Sequence, residues 1–151
     1  MIARSSGRDR VQARASARKL LVQALYQWQV ARQPAAELEA QYEMSPEFAR
    51  ADRAYFRAAL AAICADSDGL DAELARHSDI EPARLDPVEH AILVLGIWEL
   101  MTRPEVPYRV VINEGIELAK RFGATDGHRY VNAVLDRASR AYRGAERGEV
   151  A

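Results

Sequence analysis

The stretch "LDPVEHAILVLGIWEL", residues 85–100, decides the fold. Asp86 stands three residues before Glu89 with Pro87 between them, a helix start. The aspartate accepts from the Glu89 backbone N–H, the glutamate reaches back, and the proline costs nothing in a first turn. Behind that start, Val88, Ala91, Ile92, Leu95, Ile97 and Trp98 make this the most apolar helix of the chain. The most apolar helix is expected to be the central one. Gly96 within it permits a close helix crossing, at about 1 kcal/mol relative to Ala.

Working outward, Pro104 and Pro107 force a turn, and Tyr108 to Phe122 is helical again, with Val111, Gly115, Leu118 and Phe122 on one stripe. Gly123 suits the left-handed position that ends helices. Thr125 or Asp126 caps a last helix whose Val131, Val134, Leu135, Ala138 and Tyr142 face inward. Upstream, Ala17, Leu20, Leu21, Ala24, Leu25 and Trp28 mark a first helix over about 9–32, and Pro34 ends that helix or starts a short second one over 34–43. "MSPEF" (44–48) predicts a start at Ser45 and Pro46, with a helix running through Phe48, Ala51, Tyr55, Ala59 and Ile63 until "DSDG" (66–69) kinks or breaks it. No alternating strand pattern of useful length competes with the helical period. The expected architecture is all-α, six or seven helices in one domain over 1–151. A flexible basic N-terminus (about 1–9) and a frayed tail (about 144–151) flank it.

Composition narrows function. Of 151 residues, 49% are hydrophobic and 28% charged, the balance of a globular chain. No apolar run approaches the roughly 20 residues of a membrane span, and no secretory signal pattern opens the chain, so a cytoplasmic address is expected. The single cysteine, Cys64, rules out an internal disulfide framework and sits among alanines as an inert thiol. His77, His90 and His128 lack partners at metal-ligand spacing, so no metal is expected. No glycine pattern fits a phosphate cradle and no nucleophile motif is present. We expect no cofactor and no catalysis.

Charge is segregated beneath a net value of −1. Residues 1–19 carry Arg4, Arg8, Arg10, Arg14, Arg18 and Lys19 against Asp9, a net +5. Residues 35–89 hold thirteen acids against five arginines, a net −8. Residues 120–143 carry Lys120, Arg121, Arg129, Arg137, Arg140 and Arg143 against Asp126 and Asp136, a net +4. Arg10, Arg14 and Arg18, four apart, lie on one helical ridge, and with the inward face at Ala17, Leu20 and Leu21 that ridge need not be buried. Guanidiniums suit phosphates through paired hydrogen bonds. At "RFGATDGHRY" (121–130) a helix start coincides with cations and Tyr130, a ring able to stack on an unpaired base. The ridge reads as an RNA element or a solvated basic arm, and Tyr130 as a stacking ring or a core aromatic.

Together, "ARKLLVQALYQWQV" (17–30), the 85–100 stretch, "VPYRVVINEGIELAKRFG" (106–123) and "YVNAVLDR" (130–137) resemble the NusB family of bacterial transcription antitermination factors. The resemblance implies a seven-helix fold of two three-helix bundles sharing a long first helix, and no catalysis. It implies binding of boxA-type single-stranded RNA together with NusE, a small-subunit ribosomal protein. That complex joins the RNA polymerase antitermination assembly on ribosomal RNA operons. Carried onto this chain, the RNA surface is Arg10, Arg14, Arg18, Lys120, Arg121, Asp126, His128, Arg129, Tyr130 and Asn132, and the NusE surface is Tyr26 and Glu89. Two features depart from the family pattern. The arginine cluster is thinned to "RASAR" (14–18), and Tyr130 stands where Phe is usual. The alternative is a helical protein-interaction module or homodimer without direct RNA binding.

Overall fold

A computed structural model describes residues 6–149. Seven α-helices are found and, among the described residues, no strand. They are α1 (Gly7–Ala31), α2 (Ala35–Glu43), α3 (Arg53–Ala65), α4 (Ser67–Ala75), α5 (Pro87–Thr102), α6 (Tyr108–Phe122) and α7 (Gly127–Tyr142). The chain divides into two compact units, Met1–Cys64 and Ala65–Ala151.

In the first unit, α1 begins earlier than its apolar stripe suggests. Ser6 accepts from the Asp9 N–H and Asp9 from the Ser6 N–H, a reciprocal cap that brings residues 7–9, expected to be flexible, into the helix. Residues 1–5, including Arg4, lie outside the described residues. The single helix expected from Ser45 is also corrected. Ser45 makes no capping bond, Pro46–Arg50 forms only a 3-10 turn, and Ala51 is extended. The effective start is Asp52, whose Oδ1 accepts from the Tyr55 N–H at 3.0 Å. The 3-10 turn packs on α1 and α2, and its Phe48 meets Phe56 of α3 edge to face with centroids 5.5 Å apart.

In the second unit, α5 is central, every residue from Ala91 to Leu100 being buried. It packs against α4, α6 and α7, and α6 packs against α7. Leu135 of α7 is the key knob. A Cβ on Gly96 of α5 or on Gly115 of α6 would stand 2.7 Å from its methyl carbons, so two glycines from two helices make room for one leucine. Leu135→Ala would empty that site at a cost of about 2–5 kcal/mol.

Two end signals are corrected. Gly123 ends α6 in an extended conformation, φ −89° and ψ 178°, and a Cβ there would lie 2.7 Å from the Ala119 carbonyl oxygen. Close approach, not left-handed backbone, is what requires glycine at 123. The tail, expected to be frayed from 144, is held through residue 149. Arg147 donates to Asp136 and Ser139, and Glu146 accepts from the Tyr108 N–H that opens α6. Residues 150–151 lie outside the described residues.

Candidate nucleic-acid interface

The α1 ridge is graded rather than uniformly exposed. Arg10 is exposed. Arg14 is partly covered: its Nε donates to Asp52 Oδ2 at 3.1 Å, and its guanidinium lies 4.1 Å from the Tyr55 ring centroid. Arg18 is only 4% exposed, with its guanidinium 5.8 Å from the same ring. The ridge, which the spacing alone does not require to be buried, is buried at Arg18. The buried surface of α1 wraps over residues 17–25, wider than the stripe read from its apolar residues, because an aromatic ring gives a cation a place to be covered.

In the second unit, the turn between α6 and α7 presents its charged side chains outward. Asp126 precedes α7 in the left-handed conformation, φ 65°, and its side chain makes no capping bond, nor is Thr125 the residue at that position. This corrects the expected cap. A carboxylate on a left-handed residue is turned away from the first-turn N–H groups, and Asp126 Oδ1 lies 3.7 Å from Arg129 Nε instead. The Arg129 side chain is 80% exposed. Lys120, 3.8 Å from Glu117, and Arg121, its guanidinium 5.5 Å from the Phe122 ring, are exposed at the end of α6. Asn132 is exposed and His128 half-buried in the first turns of α7.

Tyr130 is half-buried, and its hydroxyl is hydrogen-bonded to Ser78 Oγ. Ser78 Oγ donates to the Ile80 carbonyl at 2.6 Å and accepts from the Ile80 N–H. With its only hydrogen committed, the serine accepts from the tyrosine. Nothing in the sequence around Ser78 marks it as a partner of a residue 52 positions away. The same holds for Asp52 and Tyr55 beside Arg14.

The remaining basic residues of the 120–143 segment serve the fold. Arg137 Nε donates to the His77 carbonyl at 2.9 Å. Arg140 pairs with Asp136 and Glu149. Arg143, 7% exposed, donates to the carbonyls of Glu99, Leu100, Arg103 and Val106 and to Glu146. It gathers carbonyls from the end of α5 and from the turn that follows, adding a second donor to those of Glu99 and Arg103, which already accept from the N–H groups of Arg103 and Val106.

The two residues expected to face a protein partner belong to different units. Tyr26 is 42% exposed on α1, one turn from Val30 at 57%. Glu89 stands in the first turn of α5. Its N–H donates to Asp86 at 3.3 Å, but its carboxylate does not return the bond and lies over Gly127, where any Cβ would collide with Oε1. Burial, and then the neighbouring Asp86 carboxylate, raise its pKa above the ordinary glutamate value.

Elsewhere, burial pushes the Cys64 thiol up to about 11, which leaves it protonated and a poor nucleophile. No group of three or more metal-ligating side chains occurs among the described residues. No helix among them is long and apolar enough to cross a membrane.

The model of the NusB family matches residues 15–140, which include the Arg18 end of the ridge and the whole α6–α7 turn. The chain belongs to the NusB family. Curated NusB-family relatives bear this out. The transcription antitermination protein NusB of Pseudomonas putida (strain W619) is 51% identical over 133 residues, 88% of this chain and 80% of that protein. The protein of the same name from Alcanivorax borkumensis is 49% identical over 137 residues, 91% of each. A solved structure of Thermotoga maritima NusB superposes with a TM-score of 0.76 at 27% identity, covering 90% of this chain and 96% of that one. The NusB-like fold accounts for the seven helices. Arg10 and Arg14 precede the matched NusB segment.

Proposed function

We propose that this chain is a cytoplasmic transcription antitermination adaptor, not an enzyme. It binds boxA-type single-stranded RNA together with NusE as part of the RNA polymerase antitermination complex. The observation that carries the RNA reading is the α6–α7 turn. There an exposed Arg129 and the anchored ring of Tyr130 flank a helix start, a pairing of cation and π-face suited to phosphate and unstacked base. Lys120, Arg121, His128 and Asn132 extend the donors of that turn, and Arg10 and Arg14 on α1 supply donors of the first unit. Titration of a boxA-like RNA, with and without purified NusE, tests the reading. Binding that strengthens in the presence of NusE and weakens steeply with salt is expected. Salt-insensitive or absent binding under both conditions overturns it.

A second reading, a protein-interaction module without direct RNA contact, draws on the exposed Tyr26 and Val30 on α1. It predicts partner capture or self-association with no RNA shift, which a sizing run beside the same titration distinguishes.

A further inference from the structure

Arg14 is the one member of the α1 ridge that is both partly exposed and held from two sides. Its side chain is 29% exposed. The bond to Asp52 uses Nε alone, so the guanidinium's outer edge, with its four Nη hydrogens, is not consumed by the carboxylate. The plane rests against Tyr55, 4.1 Å from the ring centroid. Asp52 is itself immobilised. Its other oxygen caps α3 through the Tyr55 N–H at 3.0 Å, and its own N–H donates to the Ala13 carbonyl of α1 at 2.9 Å. One carboxylate thus ties the start of α3, the backbone of α1 and the guanidinium together.

We propose that Asp52 and Tyr55 are positioning residues for Arg14, holding its outer edge as a preformed two-pronged donor for a phosphodiester of single-stranded RNA. The proposal rests on the RNA-binding reading above. Its physical basis is preorganisation: a long side chain frozen before binding does not lose that freedom on binding, a gain of about 2- to 10-fold in affinity. A planar guanidinium matches phosphate oxygens where a point charge does not. Within "RASAR" (14–18) the other arginine, Arg18, is only 4% exposed, so the orientation of Arg14 counts for more.

The sign of one substitution decides it. Asp52→Asn removes an acid from a basic surface, and charge alone predicts tighter RNA binding. Positioning predicts the reverse. Asn still accepts from the Tyr55 N–H, so the cap survives while the charged clamp on Arg14 is lost. The experiment is a fluorescence anisotropy titration of the full chain with a short unstructured RNA, alongside thermal melts. Expected are a loss of about 2- to 10-fold for Asp52→Asn, a loss at least as large for Arg14→Ala, and a double variant no weaker than Arg14→Ala alone. Arg14→Lys, which keeps the charge without the fork, should bind nearly as weakly as Arg14→Ala, and it keeps the test open should Asp52→Asn melt. Tyr55→Phe, which keeps the ring, should match the parent. A folded Asp52→Asn protein that binds as tightly as the parent or more tightly, or an Arg14→Lys protein at full affinity, overturns the assignment and leaves Asp52 a helix cap. Absence of RNA binding by the parent chain instead overturns the RNA reading and this inference with it.

Discussion

The two ends of α7 use arginine in opposite ways. At the start of the helix, Arg129 extends into solvent, 80% exposed, with one loose contact to Asp126 at 3.7 Å. At the end, Arg143 is 7% exposed and donates to four backbone carbonyls and Glu146. Both count equally in the +4 charge of residues 120–143. The difference lies in what the neighbouring backbone offers. The end of α5 and the turn after it present several carbonyl acceptors, and a five-donor fork is the side chain that serves them at once. The start of α7 leaves N–H groups unpaired, and a cation has no business with donors. Charge segregation in a sequence therefore overstates a binding surface wherever arginines serve as carbonyl caps.

The largest effect that would break this contrast is at Arg143. Arg143→Ala should destabilise the protein by about 3–5 kcal/mol, since it strands buried acceptors and leaves Glu146 without its cation. Arg143→Lys should recover only part, for lack of the planar fork. Urea unfolding measures both. Arg129→Ala, by the same assay, should change stability by less than about 0.5 kcal/mol. Equal losses at both positions would erase the distinction between the two ends.

At the solvent-facing end, the next effect belongs to Tyr130. Tyr130→Ala should weaken RNA binding by about 1–3 kcal/mol if the ring stacks on a base. Tyr130→Phe keeps the ring but gives up the bond to Ser78, so its cost should appear in folding stability, about 0.5–1.5 kcal/mol, rather than in affinity. A melt and an RNA titration on the same two variants separate the contributions. Affinity lost with Phe as fully as with Ala would mean that the hydroxyl, not the ring, is what binding needs.

What sequence reading reaches here is governed by locality. The start of α5 at Asp86 and Pro87, the turn at 103–107 and the apolar face of α6 are each dictated by residues within a few positions, and each is found where the spacing puts it. The tight packing at Gly96 is legible too, although its partner, Leu135, is not. The failures are contests between local signals. Ser45 and Pro46 read as a helix start but yield a 3-10 turn, because Asp52 offers a better cap seven residues on. Gly123 and Asp126 exchange roles, glycine taking extended backbone and aspartate the left-handed one. The site residues that were missed, Asp52, Tyr55 and Ser78, act through contacts 38 to 52 positions away in sequence. No short-range pattern records such contacts.

The left-handed Asp126 gives a smaller and cleaner test of the open end. A non-glycine residue at φ 65° carries a steric cost from its Cβ, and this one makes no capping bond to offset it. Asp126→Gly should therefore stabilise the protein or leave it unchanged, within about 1 kcal/mol, as measured by thermal melting. An RNA titration of the same variant tests the expected place of Asp126 on the RNA surface: binding weakens if the carboxylate accepts from a base edge, and strengthens modestly if it only repels phosphates. A clear loss of stability in Asp126→Gly would show that Asp126 caps α7 after all.

The smallest expected effect on stability concerns Glu89, whose carboxylate lies over Gly127 at this same end of α7. Its pKa in the folded state is raised, first by burial and then by Asp86. A raised folded-state pKa means the folded protein holds the proton more tightly than the unfolded chain does. The stability this contributes is fully present below the unfolded glutamate value, about 4.3. It is lost as pH rises through the folded value. At neutral pH the ionised carboxylate is thus a mild liability, retained beside a helix start whose dipole favours an anion. Glu89→Gln removes the ionisation while keeping shape and polarity. It should leave stability near pH 4 almost unchanged and raise the melting temperature slightly at pH 7, the difference opening between those two values. Binding decides what the charge is for. If Glu89 pairs with a cation on NusE, Glu89→Gln should weaken NusE capture and Glu89→Lys should abolish it, with both proteins folded and RNA binding retained. A Glu89→Lys protein that is folded and captures NusE at full strength would remove Glu89 from the partner surface and leave it a neighbour of Gly127 alone.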